Sequence, residues 1–171
     1  NTKTFGHDYN RFCIRIFFIM KNDVTKVLGF YALHPQAKLP MKQTQGAACF
    51  DIHACCDDLI TLNPGERALI PTGLIFDIPE DHSVRIHTRS SWAAIKGIGL
   101  SVSQGIIDSD YVEEVFVPMV NTTDKLFHIR SGERIAQIEL VKTIPTINTW
   151  VDDRPTKRGN RDGGFGSTDD D

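Results

Sequence analysis

The sequence predicts an all-β protein, built as a barrel or as a jelly-roll-like sandwich. Short runs of β-branched and aromatic residues follow one another at close spacing, and turn residues separate them. Only Ser91–Lys96 has a helical pattern, and this segment is long enough for a turn or two. The chain carries no internal repeat, which argues against a repeat architecture.

The predicted strands follow one another from the first third of the chain to the last. They are Val27–Leu33, Ala48–Ala54, Asp58–Leu62, Arg67–Ile70, Leu74–Ile78, Val84–His87, Ile98–Val102, Val115–Val120, Leu126–Ile129 and Arg134–Val141. The segments Asn63–Gly65, Pro71–Gly73 and Pro79–Asp81 separate consecutive strands, because proline and glycine favour turns. This pattern places the packed domain at residues 20–151.

The two ends of the chain do not follow this pattern. Residues 1–19 contain an apolar run that Arg15 interrupts; it is too short to span a bilayer and lacks a secretory cleavage pattern. Since a methionine stands at Met20, we interpret residues 1–19 as a leader or a misassigned start. Residues 152–171 are rich in glycine and in charges of both signs, with Phe165 as an isolated apolar residue, and we expect a flexible C-terminal arm.

The size and charge of the chain limit the class of partner. Its 171 residues suit one domain with tails, and 40% hydrophobic with 24% charged residues is an ordinary balance for a globular protein. The formal charge is −3, so no positive field is available to hold a polynucleotide, and we expect no nucleic-acid partner. We expect no membrane association either.

The cysteines point to a reducing compartment. Cys13, Cys49, Cys55 and Cys56 are not spaced as a disulfide framework, so we expect a cytoplasmic protein, or one in the host-cell cytoplasm if the source is viral. A zinc site from Cys49, His53 and Cys55 is an alternative, because strand alternation would place the three on one face. No second ligand pair follows at the usual spacing, and buried or half-buried free thiols are the favoured interpretation.

The segment Gly105–Tyr111 carries the clearest indication of chemistry. An apolar strand ends there in a tight turn with the sequence Asp-Ser-Asp, and an aromatic residue follows. Gly105 allows the backbone to approach a ligand, Asp108 is a candidate general base, and Tyr111 is a candidate wall for a ring-shaped substrate. Taken alone, such a sequence is more often a plain surface turn, because these residues cap their own backbone.

Five segments, in order, resemble the five motifs of the trimeric dUTP pyrophosphatases (dUTPases). They are Gly46–Ile52, Arg89–Ala93, Gly105–Tyr111, Gly132–Ile138 and Gly163–Thr168. The resemblance runs from about residue 24 to residue 168. It implies a distorted jelly-roll or β-clip barrel, a homotrimer with active sites shared between subunits, and hydrolysis of dUTP to dUMP and pyrophosphate.

The resemblance implies roles for single residues around the Asp-Ser-Asp turn. Asp108 would be the catalytic acid that orients and deprotonates the attacking water. Tyr111 would pack under the deoxyribose and leave no room for a ribose hydroxyl. Main-chain groups of a hairpin around Gly105 and Ile106 would read the uracil.

The resemblance assigns the phosphates and the metal to other motifs. Arg89 would supply positive charge, and Ser90 and Gln137 neutral donors, to phosphate oxygens; Ser91 of the same motif is a further substrate-binding candidate. Mg²⁺ is the expected cofactor, because it prefers phosphate oxygens and waters. Asp51 is the candidate for holding a metal-bound water, and a purely structural contact is an equally favoured alternative.

The resemblance also implies that the C-terminal arm closes over the bound nucleotide. The candidate contacts are Arg158 or Arg161, Phe165, Gly166, Ser167 and Thr168. Phe165 would stack on uracil, and the two hydroxyls would lie near the γ-phosphate. One arginine would grip that phosphate, and Arg158 is slightly favoured because Gly159 follows it.

Several residues depart from the family pattern. Ser91 replaces the usual glycine of the second motif, and Val102 replaces an asparagine that helps to bind uracil in some members. Asp169 replaces the usual closing glycine of the arm. We expect Glu113 and Glu114 to face solvent or a subunit contact, because carboxylates repel a triphosphate.

Two alternatives stay open beside the dUTPase interpretation. The dCTP deaminases share the fold and an Arg-Ser-Ser motif, but they need a catalytic glutamate in the strand after the third motif, and Val115–Val120 contains no acid. The other alternative is a non-catalytic, nucleotide-responsive binding protein, against which the intact Asp108 and Tyr111 argue. The favoured interpretation is a Mg²⁺-dependent dUTPase that limits uracil in DNA and supplies dUMP for thymidylate synthesis.

Overall fold

The computed structural model describes residues 25–157 and residue 159, and these contain eleven short strands and one helical turn. The strands are β1 (Gly29–Ala32), β2 (Phe50–His53), β3 (Ile60–Leu62), β4 (Arg67–Pro71), β5 (Leu74–Asp77), β6 (His82–Thr88), β7 (Ile98–Leu100), β8 (Gly105–Ile107), β9 (Phe116–Asn121), β10 (Phe127–Ile129) and β11 (Arg134–Lys142). The helical turn, of the π type, is Trp92–Lys96. The predicted leader and most of the predicted arm lie outside the described residues.

The strands form four antiparallel sheets. The largest has the order β2-β11-β6-β8, a second has the order β4-β9-β7, and the pairs β1-β5 and β10-β3 complete the set. The four-stranded sheet positions the functional residues, because its strands contain or directly precede four of the five motif segments. It is therefore the sheet on which the candidate site is built.

A single hydrophobic core joins the two larger sheets. Ile86 of β6 and Ile138 of β11 belong to the same buried cluster as Val117 and Met119 of β9. These side chains alternate with outward-facing ones along each strand, as the period of two requires. Full burial of one such aliphatic side chain stabilises a fold by about 1.5–3 kcal/mol relative to leaving it exposed.

The helical turn is anchored by its tryptophan. Trp92 is buried, and its ring meets Phe127 edge-on with 5.3 Å between the centroids. The Lys96 ammonium lies 4.5 Å from the centroid of the Trp92 ring. Gly97 ends the turn in the left-handed conformation, with φ of 66°, and donates its N–H to the Trp92 carbonyl. The predicted short helix is confirmed, with its first residue shifted by one position.

A β-bulge in β11 changes which side chains face the core. Arg134 pairs with His53 and Ala136 pairs with Ile52, so Ile135 is an extra residue between the two pairs. Ile135 and Ala136 are both buried, whereas Arg134 is exposed. In an unbroken ladder, alternation from Ala136 would turn Ile135 outward and Arg134 inward. The bulge therefore places the Arg134 guanidinium on the polar face of the sheet.

The predicted all-β fold is confirmed, and most strand boundaries differ from the prediction by one or two residues. The apolar strand predicted before the Asp-Ser-Asp turn is β8, which has three residues. Within the described part of the chain, no helix has the length and apolar character needed to cross a membrane.

Candidate active site

Asp51 is a buried carboxylate held between two arginines. Only 7% of the residue is exposed. Arg89 Nε lies 3.3 Å from Oδ1, and Arg134 Nη1 donates to Oδ2 at 3.2 Å. Arg89 Nη1 also donates to the main-chain carbonyl of Arg134 at 3.0 Å. The carboxylate orients both guanidinium groups, and the group of three retains one net positive charge.

The strand register brings these residues to one face of the sheet. Asp51 of β2 lies opposite Gln137 of β11, and Gln137 lies opposite His87 of β6. Directly opposed residues in antiparallel strands project on the same side. Arg89 follows the end of β6 by one residue, which brings it beside Asp51. The first, second and fourth motif segments therefore meet at one place.

A cavity of about 490 Å³, termed the arginine cavity, opens on this face. It is lined by Gln43, Ala47, Ala48, Cys49, Asp51, Arg89, Ser90, Ser91, Arg134 and Gln137. Five of the predicted site residues are among them. Ser90 and Ser91 are exposed, and the Ser91 hydroxyl makes no capping hydrogen bond to the helical turn. Guanidinium groups, hydroxyls and an amide together offer the donors that an anionic oxygen cluster needs.

Burial shifts the pKa of two side chains near this cavity. Burial raises the pKa of the Cys49 thiol, and the charge of the Glu139 carboxylate raises it further. Burial also lowers the pKa of His53, and the positive charge of Lys38 adds to that effect. At neutral pH the thiol is therefore protonated and the imidazole is uncharged. His53 Nδ1 is buried without a hydrogen-bond partner among the described residues.

Asp108 stands on the turn that follows β8. The Tyr111 N–H donates to the Asp108 carbonyl at 3.2 Å, which closes the turn. The Asp108 side chain is exposed, and it makes no hydrogen bond or salt bridge within the part of the chain that the structure describes. The predicted turn at the end of an apolar strand is confirmed. A carboxylate without competing partners is available to accept a proton from water.

The Tyr111 ring is fixed at its hydroxyl end. Tyr111 Oη donates to the main-chain carbonyl of Glu114 at 3.0 Å, and 42% of the residue is exposed. This contact holds the ring against the turn while leaving part of its surface open. A partly exposed aromatic surface next to a free carboxylate suits the binding of a flat or ring-shaped group.

The two glutamates after the turn behave differently from each other. Glu113 is exposed, which agrees with the expectation that it faces solvent. Glu114 is half-buried, and its Oε1 accepts a hydrogen bond from the Gly73 N–H at 2.8 Å. Within one chain, the Glu114 carboxylate therefore satisfies a buried main-chain donor instead of facing open solvent, and a subunit contact of Glu114 stays a prediction.

A second cavity of about 350 Å³, termed the turn cavity, lies beside Asp108. It is lined by Leu69, Ile86, Gly105, Ile106, Ile107, Asp108, Tyr111, Val115, Phe116 and Pro118. The structure thus brings together the four predicted residues of the third motif. A Cβ atom at Gly105 would lie 3.0 Å from Ile86 Cβ, so packing against the neighbouring strand also favours glycine there.

The hairpin expected around Gly105 and Ile106 is not a two-stranded ladder. β7 pairs with β9, whereas β8 pairs with β6, so the two strands on either side of residues 101–104 belong to different sheets. β8 is an edge strand that pairs with β6 on one side only, so the main-chain groups on its other side have no neighbouring strand. The residues of β8 line the turn cavity. Ile106 is 56% exposed on this edge.

The predicted site residues fall into two separate groups in one chain. The arginine cavity and the turn cavity share no lining residue. The remaining candidates, Arg158, Arg161, Phe165, Gly166, Ser167 and Thr168, lie outside the described residues.

The sequence profile of the dUTPase family matches residues 35–169, which includes both cavities. The chain belongs to the dUTPase family. It is 42% identical over 140 residues to the deoxyuridine 5'-triphosphate nucleotidohydrolase of Leptospira interrogans serogroup Icterohaemorrhagiae serovar copenhageni (strain Fiocruz L1-130), an alignment that covers 80% of this chain and 94% of the relative.

Solved structures of dUTPases have the same fold as this family member. The dUTPase of Streptococcus mutans aligns with a TM-score of 0.64 and 26% identity, over 70% of this chain and 99% of that chain. A mutant dUTPase of Staphylococcus bacteriophage 80alpha, solved with dUpNHpp, aligns with a TM-score of 0.74 and 22% identity, over 84% of this chain and 99% of that chain.

Arg134 lines the arginine cavity and contacts Asp51, and the sequence predicts no role for it. It lies within the fourth motif segment. Its pairing with Asp51 depends on the bulge in β11, which leaves no signal in the hydrophobic pattern. Gln43 also lines the arginine cavity, and it precedes the first motif segment.

Proposed function

We propose that this protein hydrolyses dUTP to dUMP and pyrophosphate with Asp108 as the catalytic base. The observation that supports this role is the exposed, unpartnered Asp108 carboxylate on the turn beside Tyr111. Asp108 orients a water and accepts its proton as the water oxygen bonds to the α-phosphorus. The bond from that phosphorus to the bridging oxygen breaks, and pyrophosphate leaves with the electron pair.

The turn cavity is proposed to receive the nucleoside. Uracil would bond main-chain groups of Gly105 and Ile106 along the unpaired edge of β8, since a strand edge offers alternating donors and acceptors. Tyr111 would pack under the deoxyribose, and a ribose hydroxyl would collide with its fixed ring. The apolar lining residues Leu69, Ile86 and Phe116 suit the flat base.

The arginine cavity is proposed to receive the phosphates. Arg89 supplies positive charge, oriented by its contact with Asp51, and Ser90, Ser91 and Gln137 supply neutral donors. Arg134 is added to this set from the structure. Donors that are already oriented before the substrate binds stabilise charge without reorganisation during the reaction.

Mg²⁺ is the proposed cofactor, and the donor set agrees with this. Asp51 uses one contact to each arginine, and a carboxylate has about four acceptor positions, so it can also accept from a metal-bound water. Mg²⁺ prefers phosphate oxygens and waters to an all-protein cage. When bound, the ion would neutralise charge on the phosphates.

The C-terminal arm is proposed to close over the nucleotide. Phe165 would stack on uracil, Gly166, Ser167 and Thr168 would contact the γ-phosphate, and Arg158 or Arg161 would pair with the same group. Closure would exclude water and strengthen the electrostatic contacts to the phosphates. A chain ending at Val151 should therefore keep its fold and lose most of its turnover.

A homotrimer with shared active sites is the proposed assembly. The base-side and phosphate-side residues line two separate cavities in one chain, so a site that uses both would draw on more than one subunit. Two inactive variants test this arrangement. Asp108→Asn and Arg89→Ala chains should each be inactive alone, and co-expressed mixed trimers should regain turnover. Mixed trimers that stay as inactive as both parents would contradict shared sites.

Substrate choice tests the proposed activity directly. The purified protein with Mg²⁺ should release pyrophosphate from dUTP, with little turnover of dCTP or UTP. Release of ammonia from dCTP with dUTP left intact would instead assign the chain to deamination, for which β9 offers no acidic residue. Nucleotide binding without turnover would favour a non-catalytic binding protein.

The proposed role in the cell is to limit uracil in DNA and to supply dUMP for thymidylate synthesis. We expect this to occur in the cytoplasm, or in the host-cell cytoplasm for a viral protein. The three cysteines of the described residues are free thiols, as expected in a reducing compartment.

A further inference from the structure

Three potential metal ligands meet on the polar face of the four-stranded sheet. Cys49 directly precedes β2, Glu139 lies in β11, and His87 lies in β6. One donor atom from each residue lies within 4.8 Å of the other two, and all three residues are half-buried. The dUTP hydrolysis proposed above gives none of them a role. We propose that this cluster, termed the Cys-His-Glu cluster, binds a zinc-class divalent cation.

The strand register explains why the three side chains converge. Asp51, Gln137 and His87 form one row across β2, β11 and β6. Cys49 and Glu139 lie two residues from Asp51 and Gln137, so the period of two returns them to the same face. The cluster therefore joins three adjacent strands of a rigid sheet, which is a better-defined support for a metal than a loop.

The donor types determine the class of metal. A thiolate, an imidazole and a carboxylate are the three ligand types that Zn²⁺ uses in proteins. Mg²⁺ takes oxygen ligands and does not favour sulfur or imidazole. The Cys-His-Glu cluster is therefore selective against the ion that the phosphates of dUTP would carry.

The present contacts leave the thiol without a partner. His87 Nε2 lies 2.9 Å from Glu139 Oε1, whereas Cys49 Sγ forms no hydrogen bond within the described residues. No lysine or arginine of those residues forms a salt bridge to Glu139. A cation at this position would be shared by all three donors and would displace the proton of the thiol.

The imidazole has a second partner that can adapt to the metal. His87 Nδ1 lies 3.4 Å from Gln104 Nε2. When a metal takes Nε2, the imidazole proton moves to Nδ1, and a flipped Gln104 amide can accept it through Oε1. A hydrogen bond from the second ring nitrogen is the usual way in which a ligating histidine is oriented. Gln104 is therefore a positioning residue for the site.

The spacing requires only a small contraction of the side chains. Tetrahedral zinc with bonds of about 2.0–2.3 Å places its ligand atoms roughly 3.3–3.8 Å apart. The donor atoms lie within 4.8 Å of one another, and rotation about side-chain torsions is the motion that would bring them closer. A solvent molecule would supply the fourth position.

Cobalt spectroscopy on the full-length, tag-free, chelator-treated protein tests the proposal without any nucleotide. Co²⁺ should bind in one equivalent per chain and give thiolate-to-cobalt charge-transfer absorption in the near ultraviolet. Zn²⁺ should displace it and raise the melting temperature. Absence of the thiolate band in the wild-type protein would overturn the proposal, and this result does not depend on how any variant folds.

Matched variants identify the ligands. Cys49→Ala should abolish the thiolate band, while Cys56→Ala, which alters another half-buried free thiol, should keep it. Glu139→Gln and His87→Gln should weaken Zn²⁺ binding by about 100-fold or more, and Gln104→Ala by about 10-fold, because even outer partners are worth about 10–100-fold. A zinc-induced rise in melting temperature that survives both Cys49→Ala and Glu139→Gln would overturn the assignment. Since no dUTP is present, failure here leaves the proposed hydrolase function intact.

Discussion

Arg134 and Asp51 are joined across two strands by a contact of 3.2 Å between Nη1 and Oδ2, and a β-bulge makes that contact possible. The bulge turns Arg134 onto the polar face, where the buried carboxylate also fixes Arg89. One acid thereby orients two cations at the cavity proposed for phosphates. The bulge in β11 therefore determines where a positive charge lies at this cavity.

Replacing Asp51 by asparagine should affect stability and turnover together. Asp51→Asn leaves two guanidinium groups without their shared carboxylate, one of them largely buried, and we expect a loss of about 1–2 kcal/mol in the free energy of unfolding. Turnover of dUTP should fall because Arg89 is no longer oriented. Urea denaturation and pyrophosphate release measure the two effects.

Asp57→Asn is the matched control for this change, because its side chain is 88% exposed and lies in the loop after β2. The control should behave as wild type in both assays. An Asp51→Asn variant with wild-type stability would contradict the orienting role of the carboxylate.

Neutralising Asp108 should abolish catalysis and leave the fold unchanged. Asp108→Asn removes a proton acceptor from an exposed turn, so turnover should fall by about 10²–10⁴-fold while the melting temperature stays the same. The neighbouring exposed Asp110→Asn is the control, and we expect it to keep most activity. If Asp110 proves to be the more sensitive position, the assignment of the base is wrong.

His53 should make stability sensitive to mild acid. In the folded state the pKa of His53 lies below its ordinary value of 6.5. Burial is the main cause, and the positive charge of Lys38 adds to it. The unfolded chain therefore binds the proton more readily. The contribution of His53 to stability is complete above pH 6.5 and is lost as the pH falls from there towards the lowered pKa of the folded state.

Unfolding experiments across this range test the effect of His53. His53→Gln should flatten the dependence of the free energy of unfolding on pH below 6.5. The matched control is His128→Gln, which removes an imidazole at an exposed position. An unchanged slope in His53→Gln would refute the assignment.

Asn121 should be one of the least replaceable polar residues of the core. It is fully buried, its amide donates to the carbonyls of Leu62 and Lys125, and its oxygen accepts from the Thr123 N–H and hydroxyl. Asn121→Leu leaves these groups unpaired and should cost about 3 kcal/mol. Thermal or urea unfolding measures the loss, and Lys125→Ala, which keeps the carbonyl, should cost far less.

The locations of the strands were predictable because their pattern is local. Alternation of apolar and polar residues marks strands such as Arg134–Lys142, and turn residues mark their ends. The helical turn at Trp92–Lys96 was equally visible. In contrast, β8 has three residues, and its pairing with β6 cannot be read from so short a segment.

The contacts of the site were less predictable than its members. Asp51 and Gln137 were recognised as candidates from motif resemblance, but the two arginines on Asp51 and the carboxylate of Glu114 on Gly73 were not foreseen. Such contacts depend on side-chain direction across strands that are far apart in the chain. A shift of one residue in register reverses that direction.

The sequence by itself determined the fold class, the positions of most strands along the chain and the residues that can do chemistry. Hydrophobic period and residue type are local properties of the sequence. Only the tertiary structure decided that Arg134 faces Asp51, that the candidates divide between two cavities, and that Cys49, His87 and Glu139 converge. These outcomes follow from strand pairing and from a single bulge. Neither is encoded in any one segment, because both arise from the balance of packing over the whole sheet.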